Sequence, residues 1–291
     1  MKQPEATVII PNYNGQRTLA SCLQALKRQT DTDFEIVVVD DGSTDGSKGI
    51  AEKYADRVLS TGRNSGPATA RNIGIKNAQG KLILLTDADC VPANDWVAQL
   101  KKNLKIDGVA VVMGRVEMGK STFLGEAISA LGYPAGGSIG FEKIWPVTPE
   151  GYTITFSSCN CGMKKEVFDR YSYFDEGFPM AGGEDTLLAK VINEGGGRIT
   201  YCPSAVVKHE ARSDLKSFIK WQINRGRCIY LFKRKAGAIG GNVKNRLWAI
   251  KNVIINSMLD AKILLILPLL LLSLACQQIG YFQGVIHDRA K

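Results

Sequence analysis

Two carboxylates, Asp87 and Asp89, follow an apolar run at residues 82–85, with one small residue between them. A continuous apolar run that ends in polar residues is typical of a buried parallel strand. Ligands of open α/β sheets bind outside the carboxyl ends of the strands, so both acids are expected at a ligand site. Acids this close repel each other unless a cation lies between them, and Mg²⁺ is commonly shared between carboxylates and a diphosphate. The alternative is an acid that only caps the next helix.

Asp40 stands at the end of a second apolar run, residues 34–39. A carboxylate there can accept a hydrogen bond from the N–H of a uracil ring or bind a ribose hydroxyl, although an Asx-turn would use the same residue type. Arg71 lies in the first turns of a helix that opens with Gly66-Pro67. We expect its side chain to face outward and to contact a diphosphate, because helix N-termini attract phosphates. An ordinary solvated arginine is the alternative.

Glu184 and Asp185 follow Gly182 and Gly183 at the start of a predicted helix. Acids at a helix N-terminus stabilise it by about 0.3–1 kcal/mol, which would explain them without any catalytic role. The two flexible glycines favour a general base instead, with Asp185 preferred, because a base must reach the proton that it removes. His209 closes a late strand, where we expect a metal ligand or a structural histidine.

The elements that position these residues alternate between strand and helix. Strands are predicted near residues 6–10, 34–39, 58–60, 81–86 and 109–113, with helices near 17–29, 43–54, from 67, and 95–105. This βαβ order implies a parallel sheet with right-handed crossovers. Residues 114–152 are predicted to be irregular with short helices, followed by a strand at 153–157, a helix from about 164, and two late strands at 198–201 and 206–209.

Composition limits the function classes. The 291 residues are 45% hydrophobic, and the seven cysteines include no C-x-x-C pair, which indicates an ordinary folded chain with reduced thiols. The polar first residues predict no signal peptide. Residues 208–262 contain 13 Lys/Arg against three acids, within a chain of net charge +9. Since this basic segment lies just before the most apolar stretch, it favours an anionic membrane surface over nucleic acid.

The apolar stretch extends from residue 263 to about 286 and contains few polar residues. One membrane span over about 263–285 is predicted, with a re-entrant or interfacial hairpin as the alternative. The basic segment on its N-terminal side would keep the catalytic domain in the cytoplasm. Residues 214–235 form an amphipathic basic helix that either packs on the catalytic domain or lies on the membrane.

Five motifs resemble, in order and spacing, the family 2 glycosyltransferases of GT-A fold: VIIPNYN (8–14), VDDGSTD (39–45), ARNIG (70–74), TDAD (86–89) and GED (183–185). The resemblance covers about residues 6–210 and implies inverting transfer from a nucleotide-diphosphate sugar with Mn²⁺ or Mg²⁺. It implies roles for Pro11, Tyr13 and Asp40 at the nucleoside, Arg71 at the nucleotide or diphosphate, Asp87 and Asp89 at the ribose and metal, and Asp185 as the base. His209 resembles a metal-binding histidine of some GT-A enzymes.

Gln222 and Arg225 resemble part of the Q-x-x-R-W motif of processive members, as diphosphate or acceptor contacts, although Gly226 replaces the tryptophan. The resemblance implies a Rossmann-like mixed, mainly parallel sheet flanked by helices, with a membrane-associated helical tail. The expected domains are a GT-A catalytic domain (1–212), a basic amphipathic segment (213–262) and a membrane-inserted helix (263–286).

The predicted function is a membrane-associated, metal-dependent glycosyltransferase that acts on a lipid-linked or cell-envelope acceptor, with no nucleic-acid partner. One alternative is a sugar-phosphate nucleotidylyltransferase. Such enzymes usually carry a Gly-rich, Arg/Lys-containing loop after the first strand, whereas residues 11–15 contain one glycine and no lysine. A non-catalytic, nucleotide-binding membrane scaffold is the other alternative.

Overall fold

The computed structural model describes residues 3–178, 180–237 and 242–289, and the chain divides into two compact units. Unit 1 comprises Met1–Arg115, Val147–Pro179 and Glu184–His209. Unit 2 comprises Val116–Pro146, Met180–Gly183 and Glu210–Lys291. The irregular region after the fifth predicted strand therefore groups with the C-terminal helices.

The strands are β1 (Ala6–Asn12), β2 (Phe34–Asp40), β3 (Arg57–Ser60), β4 (Leu82–Thr86), β5 (Cys90–Pro92), β6 (Val109–Met118), β7 (Tyr152–Thr153), β8 (Asn160–Lys164) and β9 (Arg198–His209). The helices are α1 (Leu19–Leu26), α2 (Ser47–Tyr54), α3 (Pro67–Asn77), α4 (Trp96–Leu104), α5 (Phe123–Ser129), α6 (Phe141–Ile144), α7 (Glu166–Arg170), α8 (Glu184–Glu194), α9 (Leu215–Ala236), α10 (Asn242–Ser257) and α11 (Ile263–Arg289), with a 3₁₀ turn at Gly137–Ile139.

The strands form one mixed sheet in the order β3-β2-β1-β4-β8-β6-β9-β5, with β7 paired to β9. Strands β3, β2, β1 and β4 are parallel, and β8 joins β4 in the antiparallel direction. The register places Asn12 of β1 opposite Asp40 of β2. Because β1, β2 and β4 run in the same direction, the polar residues that follow them collect at one edge of the sheet.

The core of unit 1 follows from the continuous apolar strands. Val8, Ile9 and Ile10 of β1 are completely buried, as expected for a parallel strand covered on both faces. Helix α1 buries Leu19, Cys22, Leu23, Ala25 and Leu26, which confirms the predicted amphipathic helix. The predicted mixed α/β sheet with flanking helices is likewise confirmed.

Two predictions for the second half of the sheet are wrong. The strand expected at 153–157 is limited to Tyr152–Thr153, whereas residues 160–164, expected to lead into a helix, form the strand β8. Cys161 pairs with Leu85 on one side and Met113 on the other. A short strand inside a sheet lacks an alternating pattern and cannot be distinguished from a helix segment by periodicity.

The two late strands are a single strand, β9, of 12 residues. Pro203, which cannot donate a ladder hydrogen bond, is exposed in the middle of β9. Helix α2 begins at Ser47 rather than near residue 43, and Asp45 accepts a hydrogen bond from the Ser47 backbone N–H at 3.0 Å.

Unit 2 has a separate hydrophobic core. Its buried members come from α5, the two residues that follow it, α6, α9, α10 and α11: Ala127, Ile128, Ala130, Leu131, Ile144, Phe218, Val253, Ile266 and Leu269. The short helices predicted for residues 114–152 are present as α5 and α6. Within the predicted basic segment, residues 238–241 lie outside the described residues.

Helix α11 is continuous through Pro268, so the re-entrant hairpin considered from the sequence is wrong. By length and composition, it is the described helix that is apolar enough to cross a membrane.

Candidate functional site

Asp40 is held at the carboxyl edge of the sheet by its neighbour Asn12. Asn12 Nδ2 donates to Asp40 Oδ1 at 3.3 Å, and the Ser43 backbone N–H donates to Asp40 Oδ2 at 3.3 Å. Both side chains are buried, so the carboxylate has a fixed orientation. Sequence reasoning missed Asn12. Asn12 ends β1 at the same level as Asp40 ends β2, and this position could have indicated that the two side chains are neighbours.

Tyr13 follows directly after Asn12, and its side chain is 51% exposed. Pro11 lies within β1 and is partly buried. An exposed aromatic ring directly after the end of a strand suits stacking on a planar base.

Asp41 has a structural role in a turn, which sequence analysis had considered as the alternative role of Asp40. Its Oδ1 accepts from the Ser65 backbone N–H at 2.8 Å, and its Oδ2 accepts from the Gly66 N–H at 2.9 Å. The Thr61 hydroxyl donates to Oδ1 at 2.8 Å. Asp41 therefore fixes the loop that leads into α3.

Arg71 is buried, and the expectation that it faces outward is wrong: its side chain is 2% exposed. The guanidinium donates from Nη2 to Asp87 Oδ1 at 2.8 Å and from Nη1 to Glu184 Oε1 at 3.1 Å. It thus connects the end of β4 with the start of α8. Attraction to two carboxylates at the sheet edge explains why this arginine of α3 is not solvated.

The neighbouring carboxylates of Asp87, Glu184 and Asp185 affect the pKa of Arg71. Burial by itself would lower the pKa of the Arg71 guanidinium, but the charges of Asp87 and Glu184, together with Asp185, outweigh burial and raise the pKa. Arg71 is therefore permanently charged. A buried charge is tolerated only when it is paired and hydrogen-bonded, so the three residues fix one another's positions.

Glu184 and Asp185 have different environments, although they are adjacent in the chain. Glu184 is 1% exposed, and its carboxylate forms an ion pair with the Arg71 guanidinium. Asp185 is partly exposed; its Oδ1 accepts from the Thr186 N–H at 2.7 Å, and the Ser158 N–H lies 3.5 Å from Oδ2. Of the two predicted catalytic acids, only Asp185 is accessible to a substrate hydroxyl.

The glycines before α8 have backbone angles that side chains rarely adopt, with φ of 127° at Gly182 and 119° at Gly183. This conformation explains why the sequence places glycine at both positions. The general-base role that the two glycines favoured for Asp185 stays a prediction.

A group of potential metal ligands is formed by Asp89, Cys90 and His209, whose ligand atoms all lie within 4.8 Å of one another. His209 Nε2 is 3.5 Å from Asp89 Oδ1, and the β5–β9 register places Cys90 opposite His209. Carboxylate and imidazole donors fit Mn²⁺. Burial raises the pKa of the Cys90 thiol, which is a poor ligand while protonated.

Asp87, the other predicted metal acid, is not a member of this group and is bound through Oδ1 to Arg71. Its role as a metal ligand stays a prediction. Sequence reasoning gave Cys90 no ligand role, although its position directly after Asp89 was a signal that it lies near the ligands.

Gln222 and Arg225 belong to α9 in unit 2. Gln222 is completely buried, and its Oε1 accepts from Gln277 Nε2 at 2.8 Å. The Arg225 guanidinium lies 4.2 Å from the ring centroid of Tyr133 and 5.4 Å from that of Trp221. Their predicted contacts with a diphosphate or acceptor stay predictions.

Two known proteins align with about 70% of this chain. Glycosyltransferase AglE of Haloferax volcanii is 28% identical over 220 residues, which are 72% of this chain and 68% of that protein. Succinoglycan biosynthesis protein ExoO of Rhizobium meliloti is 26% identical over 217 residues, or 70% of this chain and 60% of that protein. This chain therefore spans about two thirds of the length of these relatives.

Among solved structures, the mannosyltransferase PcManGT of Pyrobaculum calidifontis, in complex with GDP-Man and Mn²⁺, is similar with a TM-score of 0.63. The match covers 98% of this chain and 88% of that one at 20% identity, which establishes a shared fold. The fold is the GT-A fold.

A family model described as glycosyl transferase family 2 matches residues 7–172, more than half of the chain. The matched segment contains the motifs that carry Asp40, Arg71, Asp87 and Asp89. The chain belongs to glycosyl transferase family 2, and it is a glycosyltransferase of GT-A fold.

Proposed function

We propose that this glycosyltransferase moves a sugar from a nucleotide-diphosphate donor to a lipid-linked or cell-envelope acceptor, with inversion at the anomeric carbon and with Mn²⁺ or Mg²⁺. The observation that carries the proposal is the position of Asp185: it is the accessible acid of the adjacent pair Glu184 and Asp185, and it lies close enough to the buried Arg71 guanidinium to interact with its charge. A base at that position lies next to the carboxyl edge of the sheet, where the donor is expected.

The donor's nucleoside would be bound at the ends of β1 and β2. Tyr13 offers an exposed ring to the base, Asp40 offers an oriented carboxylate to polar hydrogens of the nucleoside, and Pro11 shapes the strand beneath them. Stacking on an aromatic ring tolerates different bases, whereas the carboxylate requires a hydrogen-bond donor. These contacts would fix the diphosphate toward the end of β4.

Asp89 and His209 would hold the divalent cation, with Asp87 as the further acid assigned to the ribose and the metal. When bound, the cation offsets negative charge that grows on the leaving diphosphate. The GDP-Man and Mn²⁺ bound to PcManGT support this kind of donor and cation, while the identity of the sugar here stays open.

Arg71 has little exposed surface with which to reach a diphosphate, since its side chain is 2% exposed. We therefore assign it as a positioning residue that fixes the Asp87 carboxylate and, through Glu184, the start of α8. The residue that would touch the reacting groups is Asp185.

Asp185 would remove the proton from the acceptor hydroxyl as that oxygen attacks the anomeric carbon and the bond to the diphosphate breaks. The transition state carries positive charge on the sugar ring, so a nearby carboxylate also stabilises it. A single displacement inverts the anomeric configuration. Among the described residues near Asp185, the sequence offers no separate candidate for a covalent nucleophile.

Membrane attachment is supported by the apolar helix α11 and by the basic segment that precedes it, which favour a catalytic domain facing the cytoplasm. Relatives such as the succinoglycan biosynthesis protein support a cell-envelope acceptor.

The test is to incubate the full chain in membranes with a panel of nucleotide sugars and lipid-linked acceptors, with Mn²⁺ or with EDTA. We expect release of nucleoside diphosphate that depends on the acceptor and the metal, and a product whose anomeric configuration by NMR is opposite to that of the donor. Release of pyrophosphate in a parallel incubation with nucleoside triphosphates and sugar 1-phosphates would instead indicate the nucleotidylyltransferase alternative. A product with retained configuration would exclude the single displacement.

A further inference from the structure

Helix α11 exposes apolar side chains along one side from end to end. Six exposed members recur at helical spacing: Leu264, Leu267, Leu271, Leu274, Phe282 and Ile286. Their exposed fractions range from 40% for Leu274 to 78% for Leu264. We call these six residues the apolar stripe. A continuous exposed surface of this kind marks a contact with a membrane or another protein.

The opposite side of α11 is polar toward its C-terminal end and packs against α9. Gln277 Nε2 donates to Gln222 Oε1 at 2.8 Å, and Arg227 Nε donates to Gln283 Oε1 at 3.0 Å. Asp288 accepts a hydrogen bond from the Tyr230 hydroxyl at 2.7 Å and pairs with Arg234.

These contacts establish that α9 and α11 run side by side in the same direction, since residues 222–234 meet residues 277–288 in rising order. Close approach of the two backbones is possible because Gly226 faces the Gln277 backbone and Gly280 faces the Ile223 backbone. A β-carbon at either position would collide with the neighbouring main chain. The pair therefore behaves as one packed element.

Helix α9 carries seven Lys/Arg and no acidic residue between Leu215 and Ala236. Such a helix cannot enter the hydrocarbon region, because charged side chains there are strongly disfavoured. Since residues 277–288 of α11 lie along α9, that part of α11 cannot cross the hydrocarbon either. The preceding residues, 263–276, number 14 and extend about 21 Å at 1.5 Å per residue, which is short of the roughly 30 Å core.

We propose that α11 lies in the plane of an anionic membrane surface instead of spanning the bilayer. The apolar stripe is buried at the level of the headgroups and upper acyl chains, and the basic residues of α9 contact the anionic headgroups. This inference rests on the membrane association proposed above and names its mode. It assigns the C-terminal end of α11 to the same side of the bilayer as the N-terminus of the chain.

The topology test uses the full chain with one epitope tag before Met1 and a second after Lys291, expressed in bacteria. Inverted membrane vesicles, with the cytoplasmic face outward, are treated with protease, and both tags are followed by immunoblot. We expect both tags to be removed without detergent. A C-terminal tag that is protected until detergent is added would establish a span and overturn the proposal.

The surface test measures flotation of the purified chain with vesicles of phosphatidylcholine containing phosphatidylserine. The double substitution Leu267→Gln/Leu271→Gln should reduce the bound fraction at least tenfold, and vesicles without phosphatidylserine should bind less. The matched control is Ile106→Gln/Ile154→Gln in unit 1, because these side chains are exposed to a similar extent, 50% and 51%. Binding should be unchanged in this control.

Two results would contradict the inference. Equal loss of flotation in both double variants would mean that the apolar stripe has no special role. Conversion from dimer to monomer by the stripe substitutions, with unchanged flotation, would mean that a second copy of the chain covers the stripe. Release of nucleoside diphosphate with a soluble acceptor is measured in parallel, so that failure of membrane binding is distinguished from failure of sugar transfer.

Discussion

The guanidinium of Arg71 donates from Nη2 to Oδ1 of Asp87 at 2.8 Å, inside a unit where the arginine side chain is only 2% exposed. The same guanidinium holds Glu184 at 3.1 Å. The acid that ends β4 and the acid that opens α8 are therefore tied to one cation. This arrangement makes the geometry of the proposed site dependent on a residue that has little access to substrate.

Substitution of Arg71 by methionine should lower the free energy of unfolding by about 3–5 kcal/mol, because it removes the guanidinium that pairs with the buried carboxylate of Glu184. Urea unfolding monitored by circular dichroism measures this change. Adding Glu184→Gln to the same variant should restore part of the loss, since the uncompensated buried charge is removed. If the double variant is as unstable as the sum of the two single variants, the residues are not coupled.

Substitution of Asp185 by asparagine should reduce kcat by about 10²–10⁴-fold, the range expected for loss of a general base. Binding of the nucleoside diphosphate, measured by calorimetry, should be unchanged, because the base acts on the acceptor. Glu184→Gln serves as the contrasting variant, as its carboxylate is buried against Arg71. Full turnover by Asp185→Asn would remove the base assignment.

Substitution of Tyr13 by alanine should weaken binding of the nucleoside diphosphate by about 5–150-fold, as expected for the loss of about 1–3 kcal/mol of base stacking. The unfolding free energy should barely change, since the ring is 51% exposed. Tyr13→Phe is the control, because it retains the aromatic face. Equal affinity in the alanine variant and the unsubstituted chain would exclude stacking.

Substitution of His209 by alanine should raise the Mn²⁺ concentration needed for half-maximal activity at least about tenfold. Electron paramagnetic resonance of bound Mn²⁺ gives the affinity independently of turnover. Cys90→Ala tests the neighbouring thiol, which we expect to contribute little while it is protonated. A larger loss of Mn²⁺ affinity in Cys90→Ala than in His209→Ala would reverse the assignment.

The ion pairs of Lys101 should make stability depend on acidic pH. Lys101 Nζ lies 2.7 Å from Glu5 Oε2 and 2.7 Å from Asp31 Oδ2. The hydrogen bond from Lys101 lowers the pKa of Glu5 in the folded chain. A lowered folded-state pKa contributes stability above the unfolded pKa of about 4.3, and this contribution is lost as the pH falls through the folded value.

Lys101→Met should therefore be less stable than the unsubstituted chain at pH 6, and the difference should shrink as the pH falls through the lowered folded-state pKa of Glu5 until the glutamate is protonated in both states. Urea titrations between pH 3 and pH 7 measure the two curves. Parallel curves across this range would contradict the linkage. Lys27→Met provides a comparison, because its pair with Asp56 is largely exposed.

Local sequence pattern is sufficient to locate the strand ends and the acids that follow them. Apolar runs at 34–39 and 82–85 predict buried strands, and parallel strands of one sheet end at one edge, so the common location of Asp40, Asp87 and Asp89 followed from local pattern. The order of the motifs identified the family, which the family model confirms.

Which charges are buried and which are accessible depends on contacts between residues far apart in the chain. Arg71 was expected to face solvent, because an arginine near a helix N-terminus usually does, yet it lies between acids 16 and 113 residues away in the chain. The same contact separates the roles of Glu184 and Asp185, which local sequence cannot distinguish. Hydropathy also could not predict that α11 packs along α9, because a hydropathy profile contains no information on which helix lies beside an apolar segment.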